Sequence, residues 1–441
     1  MVKKVVLTVA GSDSGGGAGI QADLKTIIAQ GFHGATVITS ITAQNTMGVR
    51  KSFNLPLEII EDQWNTVVED MNVVAIKTGM LSTPEIISLV SEKISELISE
   101  KDIPVVVDPV MKAETGSSLV EERAIDNLKK QLLPLATAVT PNRFEAEKLS
   151  GKMIKDIDDA EQVARLIHSM GPKNVAITGG HLNGVDILFD GSTVETAKSE
   201  LLNVKSHGSG CSYASALVCS LASGLDFFSA AKKAKNFVYW AIMTSEPVGK
   251  GVVPVNQIGV IERDRERFYV LNSLNRCVKK FTSLKGFELL IPEVGTNFGY
   301  AIPFPISTKD VAAVKGRIHT TGACGSVDFG SSGHIARLIL SANKFDPSIR
   351  SAMNIRFGEE IVEEALKARM NVVEVNREKE KEEKEGTTMD WIIREAYIEA
   401  GVIPDIVYDR GAVGKEAMMR VFGRTAEDVL AKIETILQGL T

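Results

Sequence analysis

Short β-branched apolar runs at 5–10, 36–41, 73–77, 105–108, 138–140 and 174–178 punctuate the first part of the chain. Between them, apolar residues recur at helical spacing near 20–30, 58–70, 84–99, 121–132, 144–150 and 159–169. The first kind of run reads as strand and the second as helix. Their alternation predicts an α/β fold, with a mostly parallel sheet covered by helices on both faces. In such sheets ligands bind at the carboxyl ends of strands. Gly, Asp, Asn and Thr gather at those ends here: Gly11–Gly19, Gln44–Thr46, Thr78–Met80, Asp108–Met111, Thr140–Asn142 and Thr178–His181. A purely structural domain has no reason to load every strand end with ligand-type residues, so an enzyme is expected.

The pattern changes after Gly249-Lys250-Gly251-Val252-Val253-Pro254-Val255-Asn256. A charged stretch, Glu262-Arg263-Asp264-Arg265-Glu266-Arg267, then opens a new helix. The expected domains are 1–258 and 262–441, the second a smaller α/β unit. A chain of 441 residues is too long for one ordinary core, which agrees with this division. The run Arg377–Glu385 mixes both charge signs and reads as a solvated loop or helix tip.

Composition removes several classes. A net charge of −6 argues against a nucleic-acid partner. No apolar run reaches the ~20 residues needed to cross a membrane. The apolar start at 5–10 runs into a Gly-rich turn with Asp13, and so reads as a strand rather than a signal peptide. The four cysteines, Cys211, Cys219, Cys277 and Cys324, form no C-x-x-C pair, which argues against a zinc site or a disulfide framework. A reducing cytoplasm is the expected setting.

The richest local signal is His207-Gly208-Ser209-Gly210-Cys211, followed by the small and apolar residues of a buried helix. Small residues at a helix entrance let backbone N–H groups face an anion, and the helix dipole adds to the attraction. Phosphoryl transfer fits; a tight turn without a ligand is the plainer alternative. The loop Gly11-Ser12-Asp13-Ser14-Gly15-Gly16-Gly17-Ala18-Gly19 lacks the Gly-Lys-[Ser/Thr] ending of a P-loop and the dinucleotide spacing. Its glycines would let backbone approach a flat ligand. Gln44 offers donors and an acceptor in one plane, matching an aminopyrimidine edge, or else ties down its loop. Asp108, Asn142 and Glu145 supply oxygen atoms of the kind that suit Mg²⁺ held largely through waters beside nucleotide phosphates. Asn142 and Glu145 also have the spacing of a capping box.

Taken together, Ala10–Asp23, Ala43-Gln44-Asn45-Thr46, Asp108-Pro109-Val110-Met111, Thr140-Pro141-Asn142, Gly179-Gly180-His181 and His207–Cys211 resemble the hydroxymethylpyrimidine/phosphomethylpyrimidine kinases of the ribokinase-like superfamily. The resemblance implies ATP and Mg²⁺, and two successive phosphorylations of a hydroxymethyl aminopyrimidine. It implies pyrimidine binding by Gln44, supported by Ala18, Asp23 and Met80. Asp108 and Glu145 would serve the metal, and Asn142 the nucleotide. The amides of Gly208, Ser209, Gly210 and Cys211 would meet the transferring phosphoryl group. Cys211 would be either a base, its thiol pKa lowered by the helix N-terminus, or a small packing residue touching the substrate. The family usually carries a lysine before Gly-Gly-His. Here the residue is Thr178, with Lys235 or Lys112 as substitutes.

In the second domain, Gly330-Ser331-Ser332-Gly333-His334 is another Gly/Ser turn entering a helix. Arg317, Arg337, Arg356 and Arg410 form a candidate set for phosphate and pyrophosphate oxygens, or else ordinary surface arginines. With Pro292–Ala301 and its Asn297, these residues resemble archaeal-type thiamine-phosphate synthase. That implies coupling of the pyrimidine diphosphate to a thiazole phosphate with release of pyrophosphate. Arg317, Arg337, Arg356 and Asn297 would bind substrate, and His334 would donate to pyrophosphate or shuttle a proton. His319 is the weaker histidine candidate, alternating with Arg317 on a possible strand. The expected partners are these small molecules and further copies of the chain. A competing reading pairs a pyridoxal-type kinase with a non-catalytic domain that senses thiamine phosphate.

Overall fold

The computed structural model describes residues 2–111, 120–200, 202, 205–377, 388–412 and 416–441. The chain divides into two compact units, Met1–Ile261 and Glu262–Thr441. Lys112 and all of the charged run after Arg377 lie outside the described residues.

In the first unit, Val5–Asp13 is buried almost throughout, as a central parallel strand should be. Its residues alternate between two cores: Val5, Leu7 and Val9 join one, and Val6 joins the other. Among the described residues the sheet has nine strands. Their order is Gly48–Asn54, His33–Asn45, Val5–Asp13, Val73–Thr78, Val105–Val107, Ala138–Val139, Val175–Ile177, Val185–Phe189 and Val194–Lys198. The six strands from His33–Asn45 to Val175–Ile177 pair in parallel. The outer strands, Gly48–Asn54 on one side and the Val185–Phe189/Val194–Lys198 hairpin on the other, are antiparallel.

The chain leaves Val5–Asp13 toward one edge and returns to pair Val73–Thr78 on its other side. This is a topological switch point, where a crevice opens at the strand ends. Helices Pro84–Glu100 and Ile157–His168 pack in the first core, and Ser209–Ala222 and Phe227–Met243 in the second. Each of the six predicted strands appears. The outer strand Gly-Val-Arg-Lys-Ser-Phe-Asn at 48–54 escapes the pattern because it is mostly exposed, so no buried alternation marks it. The predicted helix at 121–132 is instead a short turn of helix at Ala124–Asn127 followed by a widened π turn, Leu128–Leu132.

The second unit is built on a mixed sheet. Its order among the described residues is Val327–Phe329, Val311–Val314, Phe298–Ala301, Ser351–Arg356, Met418–Gly423, Ile406–Asp409 and Val372–Glu374. Only the last pair among these is parallel. Helices Gly259–Ser283, Glu359–Lys367 and Ala426–Leu440 fill one core. Gly333–Phe345 and Thr388–Ala400 fill the other.

Candidate active sites in the two units

A cavity of about 730 Å³ opens along the strand ends of the first unit. Its size is that of a small-molecule site. At one end lie Gly11, Ala18, Gln44, Met80, Lys77 and Cys211; in the middle lie Asp108, Thr140, Asn142 and Glu145. At the other end lie Thr178–His181, Asp186, Lys235 and Tyr239.

The anion turn forms as expected. Gly208 has φ +87° and caps helix Ser209–Ala222 without a side-chain cap, leaving first-turn amides for a ligand. A Cβ on Gly208 would lie 1.9 Å from the Gly17 carbonyl oxygen, so only glycine lets the two loops meet. The turn's floor is a two-stranded sheet of Ser206–His207 and Val253–Pro254. Cys211 is not a poised thiolate. Burial pushes its thiol up to about 12, outweighing the nearby Lys77 ammonium. The helix-end effect expected from sequence is overridden because the sulfur is desolvated and shares its surroundings with Asp23 and Asp108.

The group that the sequence reading missed is Lys77. It is fully buried, 2.9 Å from Asp23 and 3.6 Å from Asp108. Burial opposes its charge, but Asp23, Cys211 and Asp108 raise its pKa, so it remains an ammonium. A lysine closing the apolar strand Val-Val-Ala-Ile-Lys-Thr was the available signal. Asp23 is correspondingly reassigned. Its carboxylate is fully buried and taken up by Thr8, Ser215 and Lys77, and it does not line the cavity. It anchors Lys77 rather than touching the pyrimidine. Ala18 and Met80 do line the cavity, and Met80 packs on Gly11 so closely that a Cβ there would lie 2.3 Å from its Cε.

Gln44 is fixed at every polar atom. Its N–H donates to Ser14 Oγ at 2.9 Å and its carbonyl accepts from the same hydroxyl at 2.7 Å. Its side chain lies 2.9 Å from His207 Nε2 and 3.3 Å from Thr42 Oγ1. His207 in turn lies 3.2 Å from Asp13 Oδ2, which also accepts from the amides of Gly17 and Ala18. Burial opposes ionisation of Asp13, but His207 and the amides of Ala18 and Gly15 hold its carboxyl below the usual value.

Asn142 and Glu145 form the capping box, with bonds of 3.0 and 2.9 Å, and also line the cavity. Burial raises the pKa of both Asp108 and Glu145; Asp23 adds to the effect at Asp108, and Asp108 adds to it at Glu145. Asp108 Oδ2 is buried with no hydrogen-bond donor. Two crowded carboxylates, one with an oxygen that accepts no hydrogen bond and lies 3.6 Å from Lys77, fit a divalent cation that would add to that lysine's charge. At the far end Thr178 carries no charge. Lys235 supplies one, held 2.7 Å from buried Asp186.

In the second unit, His334 sits at the start of helix Gly333–Phe345. Burial, then the charges of Arg420, Arg317, Arg337 and Arg377, push its pKa down to about 4. The charges of four arginines therefore act on one imidazole and oppose its protonation. Arg337 reaches back over its own first turn, with Nη1 3.1 Å from where a Cβ on Gly333 would lie. Buried Asp409 accepts from Arg420 at 2.8 Å and lies 3.6 Å from Arg377.

The expected arginine set changes accordingly. Arg356 is engaged by Leu289 O, Phe357 O and Glu360, and Arg410 by Glu359 and Glu374, so carboxylates and carbonyls already take their donors. Arg420 and Arg377, both paired with buried Asp409, are the further arginines whose charge reaches His334. Arg377, at the start of the run expected to be a solvated loop or helix tip, is 7% exposed at its side chain. An arginine inside the apolar strand Met-Met-Arg-Val-Phe-Gly was the overlooked sign of Arg420. Asn297 is also buried, and its amide donates to Val314 O and Gly316 O, both at 2.9 Å. It shapes the loop before Arg317, and its donors are not left for substrate. His319 is exposed, and only Ile318 beside it makes a bridge, to Thr296, so the expected strand there is absent.

The parallel sheet, the amide turn, the buried lysine and the paired carboxylates define the first unit as a ribokinase-like small-molecule kinase. A solved structure of Bacillus subtilis pyridoxal kinase with ADP is similar to this unit at TM-score 0.54 and 38% identity, covering 59% of this chain and 99% of that one. Residues 13–256 match the phosphomethylpyrimidine kinase family and residues 273–435 match thiamine-phosphate synthase ThiN. A hydroxymethylpyrimidine/phosphomethylpyrimidine kinase of Streptomyces coelicolor is 45% identical over 255 residues, 57% of this chain and 93% of that protein. The bifunctional thiamine biosynthesis protein ThiDN of Methanocaldococcus jannaschii is 34% identical over 98% of both chains. The chain belongs to this family of bifunctional thiamine biosynthesis enzymes, a phosphomethylpyrimidine kinase joined to a ThiN domain.

Proposed function

We propose that the first unit phosphorylates 4-amino-5-hydroxymethyl-2-methylpyrimidine twice at the expense of ATP. The second unit then couples the diphosphate to a thiazole phosphate, releasing pyrophosphate and giving thiamine phosphate. The observation that carries the kinase half is one cavity holding Gln44 and Met80 beside both the Gly208–Cys211 amides and the Lys77 ammonium. A flat ring held at the first pair places its hydroxymethyl group within reach of the second. Phosphoryl transfer needs positioning and charge stabilisation more than covalent help. The turn amides and Lys77 meet the charge on the transferring group, and Lys235 meets the nucleotide end. Asp108 and Glu145, beside Asn142, would hold Mg²⁺, which neutralises phosphate charge when bound.

In the second unit the leaving pyrophosphate meets Arg317, Arg337, Arg377 and Arg420, with neutral His334 among them as hydrogen-bond donor. Substituting Arg317→Ala or His334→Ala in the full chain should abolish thiamine phosphate formation, assayed by product analysis, with pyrimidine phosphorylation unchanged. Loss of both activities would point to misfolding instead. Thiamine phosphate binding without turnover would favour the sensing role. The likeness to a pyridoxal kinase makes pyridoxal the control acceptor in the same assay.

A homo-oligomer is part of the proposal. Ile41 and Phe53 pair across the edge of the sheet and are 47% and 57% exposed, an apolar patch that a second copy would cover. Light scattering on the purified chain tests it. Four free cysteines suit a reducing, cytoplasmic setting. Among the described residues, no helix is long and apolar enough to cross a membrane.

A further inference from the structure

His207 Nε2 has two polar neighbours with opposite demands. Asp13 Oδ2, 3.2 Å away, only accepts, and holding its carboxyl ionised makes a hydrogen on Nε2 favourable. The Gln44 amide turns its own Nε2, a donor, toward the ring nitrogen at 2.9 Å, while Oε1, an acceptor, faces Thr42. With a hydrogen on the ring nitrogen, only the amide oxygen fits against it. Without one, only the amide NH₂ fits, and Asp13 relies on the Gly17 and Ala18 amides.

Gln44's other neighbour imposes no such choice. The Thr42 hydroxyl has a second acceptor in Ser12 O at 3.0 Å, so it can donate to Gln44 or accept from it. Backbone movement cannot relieve the conflict, because Ser14 pins Gln44 on both sides. The imidazole is equally confined: a Cβ on Gly17 would lie 2.4 Å from His207 Cδ2. Turning the Gln44 amide over therefore means re-pairing His207 and Asp13 as well.

We propose that His207, held by Asp13, is a positioning residue that fixes the order in which Gln44 presents N–H and C=O to the substrate ring. The inference rests on the reading of Gln44 as the pyrimidine-binding residue. A 4-aminopyrimidine edge offers an amino donor beside a ring-nitrogen acceptor. The 4-oxo analogue offers the reverse, a carbonyl acceptor beside a ring N–H. A fixed amide accepts one order and leaves buried groups unpaired with the other. The same constraint decides which way the ring lies, and so directs the hydroxymethyl group at the anion turn.

The test is steady-state kinetics of the full chain with the hydroxymethyl 4-aminopyrimidine and its 4-oxo analogue. The unsubstituted enzyme should favour the amino compound by at least about 100-fold in kcat/KM. In His207→Leu the preference should fall to within about 10-fold, at an unchanged KM for ATP. His207→Gln should lose the preference while keeping KM for the amino compound close to that of the parent, since a second amide can turn with the first. A preference retained in both His207 variants but erased in Gln44→Ala overturns the positioning role. A preference that survives Gln44→Ala shows that Gln44 does not read the ring, and removes the reading beneath the inference.

Discussion

The kinase unit offers an anion mainly backbone: a glycine-capped helix turn, backed by one ammonium that buried carboxylates hold in place. The second unit offers side chains, arginines whose charges act on one buried histidine. The first design draws its amides from a contiguous piece of chain. The second draws its charge from residues at 317, 337, 377 and 420, which only the folded sheet brings together. A backbone site is therefore tied to local sequence, whereas a side-chain site is tied to topology.

Lys77 is where this contrast can be broken most sharply. Lys77→Met should leave Asp23 and Asp108 buried without their counter-charge, destabilising the unit by about 3–5 kcal/mol and abolishing kinase activity. Denaturant unfolding and phosphorylation assays measure the two effects. A stable, active variant would show that the backbone turn suffices alone.

The second unit answers to pH. His334 has a folded pKa near 4, against 6.5 in its unexposed-to-charge reference state. The unfolded chain thus binds more protons between those values, so stability contributed by the neutral ring is complete above about pH 6.5 and declines as pH falls toward 4. His334→Gln should flatten that part of the stability profile. NMR should find His334 untitrated near neutrality in the free protein, and its pKa should rise when pyrophosphate offsets the arginines. A ring titrating at its ordinary value would separate it from the cluster.

Smaller effects sharpen the comparison. Burial holds the Cys211 thiol up at about 12, which disfavours a thiolate base, so Cys211→Ala should cost less than about 10-fold in rate, equally in both phosphorylations. A loss confined to the first step would restore the thiol to catalysis. Smallest is Asn142→Ala. Removing the cap should cost about 1 kcal/mol by thermal unfolding.

The same contrast explains what could be read without coordinates. Six parallel strands and the amide turn were legible because buried β-branched runs and glycine spacing are local signatures. The mostly exposed strand Gly48–Asn54 carried no such signature. Arg356 and Arg410 looked equivalent to Arg317 and Arg337 by their neighbours in sequence, but i,i+4 and cross-strand carboxylates had already claimed them. Lys77, Arg377 and Arg420 hid in the opposite way. Their charges are paired inside the fold, by Asp23 and Asp108 in one unit and Asp409 in the other, partners remote in sequence.

The strand Val253–Pro254 lies beside Ser206–His207, and Val255 N–H donates to the His207 carbonyl at 3.1 Å. The last stretch of the kinase thus braces the turn on which its chemistry depends. Dissection of this enzyme must respect that brace: a kinase fragment cut at residue 250 would keep nearly the whole sheet yet lose the support beneath its phosphate turn. The modularity of the fusion begins only after Gln257, whose buried side chain donates to Ser212 Oγ at 3.2 Å, and any exchange of partner domains must be spliced downstream of it.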